Sequence, residues 1–264
     1  MHVDSMDSYC ARASWLHRLD ARIKLILTLA FVLAVSLTPT GSWPTYVFLY
    51  SLLLAATVAS ELSLGLVLRR GLVALLFVMA ALPLLVTTAG RAVLPISVGR
   101  WSLAVTASGL ERFLSIAVKS WLSVQAAVLL TATTRMPDLL VAMRALKLPR
   151  LLIATVSLMW RYLFVLADEA MRMLRARTSR SAALDGRGGG SLFWRASVTG
   201  AMAGTLFLRG YERSERIYNA MLARGYDGSV RAATQRPLTR GERDIVVVGL
   251  VVLASVLTLG RFVG

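Results

Sequence analysis

Residues that commonly build metal, disulfide or phosphate sites are scarce in this sequence. The 264 residues include one cysteine, Cys10, and two histidines, His2 and His17. One cysteine excludes an intramolecular disulfide, and no HExxH or CxxC pattern marks a metal or redox centre. The Gly-rich stretch at 186–190 lacks the Gly-Lys-Ser/Thr ending of a phosphate-binding loop. Met1-His2 is too short a motif to predict a metal site, so we expect no catalytic, cofactor-binding or metal-binding residues.

Acidic residues are also scarce, whereas apolar and basic residues are abundant. The chain has 14 acidic residues against 30 Lys and Arg, a formal net charge of +16, and 56% hydrophobic residues. Its mean hydropathy of +0.65 exceeds that of ordinary soluble domains. Several uncharged apolar runs approach the roughly 20 residues that span a bilayer. We therefore predict an integral membrane protein in contact with lipid, and no nucleic-acid partner because no such motif accompanies the basic charge.

Five apolar runs predict five transmembrane helices. The runs cover 23–37, 45–60, 71–89 with a kink at Pro83, 110–134 and 245–259. Basic residues precede the first run and follow the second and fourth, so the positive-inside rule places the N-terminus in the cytoplasm and the C-terminus outside. Acidic residues lie among those basic ones, so we expect the first run to remain as an anchor instead of being a cleaved signal. The Gly- and Pro-punctuated residues 90–109 predict a short strand or hairpin.

The polar residues of the fourth run include Glu111, Lys119 and Gln125. Ionisable groups inside a membrane often line a substrate path. They also occur on a helix face that packs against a neighbouring helix. Only one full charge lies deep in the run, so we favour the packing interpretation.

A basic segment occupies residues 135–243, between a membrane domain over 1–134 and a C-terminal transmembrane helix over 244–264. It holds 19 of the basic and 8 of the acidic residues, a net charge of +11. The absence of Pro and Gly over 151–182 predicts one long helix, and a second is expected from Ser191 to about Ala223. Both begin with apolar stretches, 151–167 and 192–208, and these could enter the bilayer. Because each contains an arginine, which costs at least about 2.5 kcal/mol at the bilayer centre, we favour helices that project into the cytoplasm.

Each long helix ends in an arginine between small residues, in the tripeptides Ser179-Arg180-Ser181 and Ala223-Arg224-Gly225. Small neighbours let a partner approach closely, and a guanidinium can then bind a carboxylate through two hydrogen bonds. Two antiparallel helices of similar length are expected to bring both arginines to one face of the protein. We predict that these six residues contact a partner protein.

The motifs around these arginines resemble the transmembrane component of energy-coupling factor transporters. The resemblance rests on 177–181, on the run Arg213 to Gly228 with Ala-Met-Leu-Ala-Arg-Gly-Tyr-Asp-Gly, on the entry at 16–24, and on a short helix at 136–149. The family carries two Ala-Arg-Gly-like motifs. The second is complete here, whereas the first has Ser181 in place of the usual glycine. The entry and the second motif look most like the Q-type permease subunit of the cobalt- and nickel-uptake subgroup.

The resemblance implies an L-shaped all-α scaffold in a prokaryotic cell membrane. Such a chain couples two cytoplasmic ABC-type ATPase subunits, which bind ATP and Mg²⁺, to a separate substrate-binding membrane subunit, with a small accessory membrane subunit in some systems. Arg180 and Arg224 would each insert into a groove on an ATPase. The implied cargo is a cobalt or nickel ion on the way to cobalamin biosynthesis, with a vitamin transporter as the alternative.

Two other functions remain open from the residues themselves. A self-sufficient channel or carrier would need discontinuous helices or aligned polar groups at the bilayer midplane. A membrane enzyme acting on lipid would need clustered acids or nucleophiles. The pair His17 and Asp20 is a weak candidate for such a catalytic cluster. Both residues look like helix-start residues, so we expect a non-catalytic subunit.

Overall fold

The computed structural model describes residues 9, 10, 12, 14–88, 92–98, 101–180, 191–228 and 238–263. Within these ranges the chain is helical apart from one hairpin, which agrees with an all-α membrane fold. The helices are α1 (Trp15–Arg18), α2 (Ala21–Leu37), α3 (Trp43–Ala59), α4 (Leu64–Gly71), α5 (Ala74–Ala80), α6 (Leu84–Thr87), α7 (Ala107–Thr133), α8 (Met136–Ala145), α9 (Arg150–Arg180), α10 (Leu192–Ala223) and α11 (Arg240–Val263). Two compact units result, one within Ser8–Ala142 and Thr234–Gly264, the other within Met143–Ala233.

The hairpin lies where Gly and Pro punctuate the sequence, as expected. Strand β1 (Ala92–Val98) pairs antiparallel with β2 (Trp101–Thr106), from Val98 opposite Trp101 to Ala92 opposite Thr106. Helix α7 begins at the end of β2, where the Thr106 hydroxyl accepts a hydrogen bond from the Gly109 amide. This N-cap satisfies one of the four amides that a helix start leaves without partners.

Helix α7 is the central element of the first unit. It packs against α2, α3, α4, α5 and α6, and α11 packs against α2 and α3. Val35, Leu49 and Leu122 are fully buried where these helices meet. Gly249 and Gly260 let α11 approach closely, because a Cβ at these positions would meet Leu27 and Thr45 respectively. Apolar side chains on the outer faces are exposed, as expected for helices surrounded by lipid.

The third apolar run is helical with two breaks. The chain forms α4, α5 and α6 with breaks at 72–73 and 81–83, and the second break contains Pro83, where a kink was predicted. Leu72, Val73, Ala81 and Pro83 keep right-handed helical backbone angles. Gly71 ends α4 against the Gln125 side chain, whose Cδ lies 3.0 Å from a Cβ built there. Pro83 lacks an amide hydrogen and so cannot continue the helical ladder. The run therefore has the predicted kink at Pro83 and a second break directly after Gly71.

Three of the described helices are long and apolar enough to cross a membrane: α7, α9 and α11. Helix α3 is a shorter apolar helix of 17 residues. By length and composition α9 therefore qualifies as a span, which is compatible with the alternative in which 151–167 enter the bilayer.

The second unit contains the two long helices, whose bounds agree with the sequence prediction. Helix α9 has 31 residues and no Pro or Gly, and α10 has 32 residues. Ser191 caps α10, since its hydroxyl accepts a hydrogen bond from the Trp194 amide at 3.3 Å. The predicted break at 185–190 lies outside the described residues.

Candidate functional site

Helices α9 and α10 run antiparallel, and three contacts give their register. Arg177 Nη1 donates to Thr199 Oγ1 at 3.2 Å, and Arg209 Nη1 donates to Glu169 Oε1 at 2.5 Å. Leu166 Cδ2 lies 3.5 Å from a Cβ built at Gly210. As residue numbers fall along α9, the partner numbers rise along α10. The C-terminal ends of the two helices therefore point in opposite directions.

Arg224 lies at a helix end whose backbone is held by two hydrogen bonds. The Gly225 amide donates to Leu222 O at 2.9 Å and the Tyr226 amide donates to Met221 O at 3.0 Å. This is a Schellman motif, in which the residue after the cap adopts a left-handed conformation. Gly225 has φ of +78°, a value at which glycine pays no steric penalty. The Ala-Arg-Gly motif thus ends α10 at Ala223, directly before the exposed cap residue Arg224.

Arg180 is the last residue of α9 and is exposed. Ser179 is exposed as well, and its hydroxyl donates to Arg175 O at 3.1 Å within the last turn of the helix. Ser181, which replaces the usual glycine, lies outside the described residues. Among the described residues neither Arg180 nor Arg224 forms an ion pair, so both guanidinium groups are available to a partner.

The two arginines lie on opposite sides of the helix crossing, at opposite ends of the helix pair. That they share one face of the protein stays a prediction. Arg180 follows Glu169 by 11 residues and Arg224 follows Arg209 by 15. We call the segments from Glu169 to Arg180 and from Arg209 to Arg224 the two arms. At 1.5 Å per residue they are about 16 and 22 Å long, and they point in opposite directions. Antiparallel pairing of equal helices puts their C-termini at opposite ends. The arrangement therefore offers two separate contact points.

Glu169 and Arg209 are functional candidates that the sequence prediction missed. Both Glu169 oxygens are used, one by Arg209 of α10 and one by Arg172 of α9. The sequence contains an indication of this pair. If two antiparallel helices are joined by a turn at 185–190, the numbers of residues that face each other sum to about 375. Glu169 is then expected opposite about position 206, within one helical turn of Arg209.

Two lysines join α2 and α7 in the first unit. Lys24 Nζ donates to Thr133 O at 3.0 Å, at the end of α7. Lys119 Nζ donates to Thr38 O at 2.6 Å and to Ser36 O at 3.2 Å, at the end of α2. Carbonyls in a last helical turn lack intrahelical partners, and a cation there also suits the helix dipole. Lys24 is only 8% exposed, so it is packed inside the unit.

The contacts of Lys119 confirm that this residue packs on a neighbouring helix. Glu111 is exposed and lies against Gly41. Gln125 is 2% exposed, and neither its Nε2 nor its Oε1 has a hydrogen-bond partner in the described part of the chain. Glu111, Lys119 and Gln125 therefore face different surroundings, and they do not form one polar path.

The segment before α2 is fastened to the end of α7. The Cys10 amide donates to Ala132 O at 3.0 Å. His17 Nε2 donates to Cys10 O at 3.0 Å, and the Ser14 hydroxyl lies 2.6 Å from Nδ1. Burial lowers the pKa of His17 below its usual value, which favours the neutral ring. Asp20 caps α2 by accepting from the Arg22 amide at 2.9 Å. His17 and Asp20 thus hold helix starts, as their sequence context indicated.

The match to known proteins covers most of the chain. The model of the family CbiQ, described as cobalt transport protein, matches residues 12–235. The chain belongs to the CbiQ family. This confirms the resemblance to the transmembrane component of energy-coupling factor transporters, and such chains are multi-pass membrane proteins.

Relatives of this CbiQ-family chain carry two different names, EcfT and CbiQ. It is 30% identical over 256 residues to the energy-coupling factor transporter transmembrane protein EcfT of Limosilactobacillus fermentum, covering 92% of each chain. It is 29% identical over 265 residues to EcfT of Brevibacillus brevis, covering 96% of each. It is also 28% identical over 263 residues to the cobalt transport protein CbiQ of Rhodobacter capsulatus, covering 98% of this chain and 99% of that protein.

Within the described ranges, no group of three or more His, Cys, Asp or Glu side chains could hold a metal ion. Met1 and His2 lie outside those ranges.

Proposed function

We propose that this chain is the coupling subunit of an ATP-driven importer. Arg180 and Arg224 would each bind one of two cytoplasmic ABC-type ATPase subunits. The chain would transmit their ATP-driven motion to a separate substrate-binding membrane subunit. ATP and Mg²⁺ belong to the ATPase chains in this proposal, and the chain itself is non-catalytic.

The observation that carries the proposal is the placement of the two arginines at opposite ends of one helix pair. Two exposed guanidinium groups on arms of about 16 and 22 Å suit two separate protein partners better than one shared groove. The names of the relatives support the same assignment, since EcfT proteins are called transmembrane proteins of energy-coupling factor transporters.

The orientation proposed from the charge pattern is an N-terminus in the cytoplasm of a prokaryotic cell. The first unit supports it, because the start of α2 and the end of α7 meet at the contact between Lys24 and Thr133. Arg18, Arg22 and Arg135 flank this end. An excess of basic residues at one end of a bundle is typical of its cytoplasmic side.

The proposed cargo is a cobalt or nickel ion. Support comes from the family description and from the relative in Rhodobacter capsulatus that is named a cobalt transport protein. Uptake of radioactive Co²⁺, Ni²⁺ and a vitamin should be compared in cells that express this chain together with ABC-type ATPase and substrate-binding membrane subunits from the same organism. Vitamin uptake without metal uptake would contradict the cargo assignment and favour the vitamin-type alternative.

The coupling role is tested by replacing both arginines with alanine. Loss of one partner of a buried charge pair costs about 2–5 kcal/mol, so each ATPase contact should weaken at least about 30-fold. We expect the Arg180→Ala/Arg224→Ala chain to insert in the membrane, to lose ATPase co-purification and to lose uptake. Arg216→Ala is the matched control, since Arg216 is also an exposed arginine on α10 but lies away from its end. Normal uptake by the double variant would refute the proposal.

A further inference from the structure

Glu169 binds arginines from both long helices at once. Its Oε1 accepts a hydrogen bond from Arg209 of α10 at 2.5 Å, and its Oε2 accepts one from Arg172 of α9. The glutamate side chain is 15% exposed, whereas the two arginine side chains are 56–57% exposed. A carboxylate held between helices by two charge-assisted hydrogen bonds has a defined geometry.

This contact lies where α9 and α10 cross. Leu166 meets Gly210 on one side of it, and Arg177 meets Thr199 on the other. The packing at this point is sparse, because among the described residues Ala154 is the only buried residue of α9 and α10 has none. Apolar packing alone therefore specifies the crossing weakly. Crossing angles of packed helices vary by about 15–20° within one class.

We propose that Glu169, through Arg209, is the positioning residue that fixes where α9 and α10 cross and so sets the separation of Arg180 and Arg224. This inference rests on the proposed function, in which those two arginines bind ATPases. A change of 10° at the crossing moves the arm ends by about 3 and 4 Å, given arms of about 16 and 22 Å. A displacement of this size exceeds the tolerance of a bidentate guanidinium contact.

The separation can be measured directly on the full chain in lipid nanodiscs. Spin labels at Ala176→Cys and Ala220→Cys, both exposed and one turn before each arginine, report the distance between the arm ends. The native cysteine is removed by Cys10→Ser. The labels lie about 10 and 16 Å from the Glu169–Arg209 contact, so for a swing of about 20° we expect Glu169→Gln and Arg209→Gln to shift or broaden the distance distribution by about 2 Å. Distributions that superimpose on that of the parent would overturn the inference.

Two controls separate positioning from loss of charge. Arg172→Gln removes an arginine from the same carboxylate but leaves the contact between helices, so its distribution should match the parent. Glu212→Gln removes a carboxylate that forms no ion pair among the described residues, and should also match. Shifts of equal size in these controls would contradict a specific role for the Glu169–Arg209 pair.

Exchanging the two charges tests whether a changed distance distribution reflects loss of the ion pair or misfolding of the chain. In the Arg172→Gln background, which avoids placing two arginines together, Glu169→Arg should broaden the distribution. Adding Arg209→Glu should restore it. Failure of the exchange to narrow the distribution would count against an ion-pair role.

The functional consequence is measured in the assembled transporter with radioactive Co²⁺ as the probe. We expect Glu169→Gln to lower Co²⁺ taken up per ATP hydrolysed at least twofold, and the exchanged pair to recover it. An unchanged ratio would overturn the link to coupling. If the Arg180→Ala/Arg224→Ala chain transports normally, the proposed function fails, and the spin-label distances still decide the positioning role independently.

Discussion

Removing the buried lysine at the start of α2 should loosen the contact between the N-terminal segment and α7. Lys24 Nζ donates to Thr133 O at 3.0 Å and to His17 O at 3.4 Å. Hydrogen bonds to a charged group contribute about 1.5–3 kcal/mol, and a buried carbonyl left without a partner costs about 1–3 kcal/mol. The hydrogen bond from Lys24 to His17 O is the weaker of the two because it is longer. In the Lys24→Met variant, the methionine side chain recovers apolar packing, which reduces the loss. We therefore expect a net loss of about 2 kcal/mol.

Cys10 provides a local assay for this loss. Its amide donates to Ala132 O, next to Thr133, and it is the only cysteine in the chain. A cost of about 2 kcal/mol corresponds to up to about a 30-fold shift in the local opening equilibrium. The rate of Cys10 alkylation in detergent should rise by a comparable factor, and the melting temperature should fall by roughly 4–8 °C.

Lys147→Met is the matched control, since it removes the same charge from an exposed position. It should leave the Cys10 alkylation rate and the melting temperature unchanged. If Lys24→Met also leaves both unchanged, the lysine does not hold the end of α7 and the stabilising role assigned to it is refuted.

Two further predictions use single substitutions. Gly225→Ala forces a side chain into the left-handed region at the end of α10 and should destabilise that helix end by about 1–2 kcal/mol. Gly200 lies in the interior of α10 with open space around it, so Gly200→Ala should instead stabilise the helix by about 0.5–1 kcal/mol. Hydrogen exchange of α10 amides measures both, and the same sign for the two variants would contradict this account. Gln125→Leu should raise the melting temperature, because the amide is buried without hydrogen-bond partners in the described part of the chain and replacing it removes a desolvation cost of about 1–3 kcal/mol; a lower melting temperature would indicate that a water or another partner binds the amide.

Local features of the sequence predicted the two long helices well. No proline or glycine interrupts 150–180, and Gly225 marks the end of α10 because its left-handed backbone suits a residue without a Cβ. The arginines at both helix ends follow from the same local signals. The sequence of 71–89 indicated the break at Pro83 but not the one at 72–73. Gly71 ends α4 against Gln125, a residue more than 50 positions away in sequence.

Chain composition alone determined that this protein lies in a membrane, because burial of uncharged apolar runs in lipid depends on each run by itself. The arginine motifs that identify the family are also local. Tertiary structure decided which polar groups meet: Lys24 with the end of α7, Lys119 with the end of α2, and Glu169 with Arg209 across the helix crossing. It also placed Arg180 and Arg224 at opposite ends of the helix pair. These contacts depend on helix direction and register, which apolar periodicity does not specify.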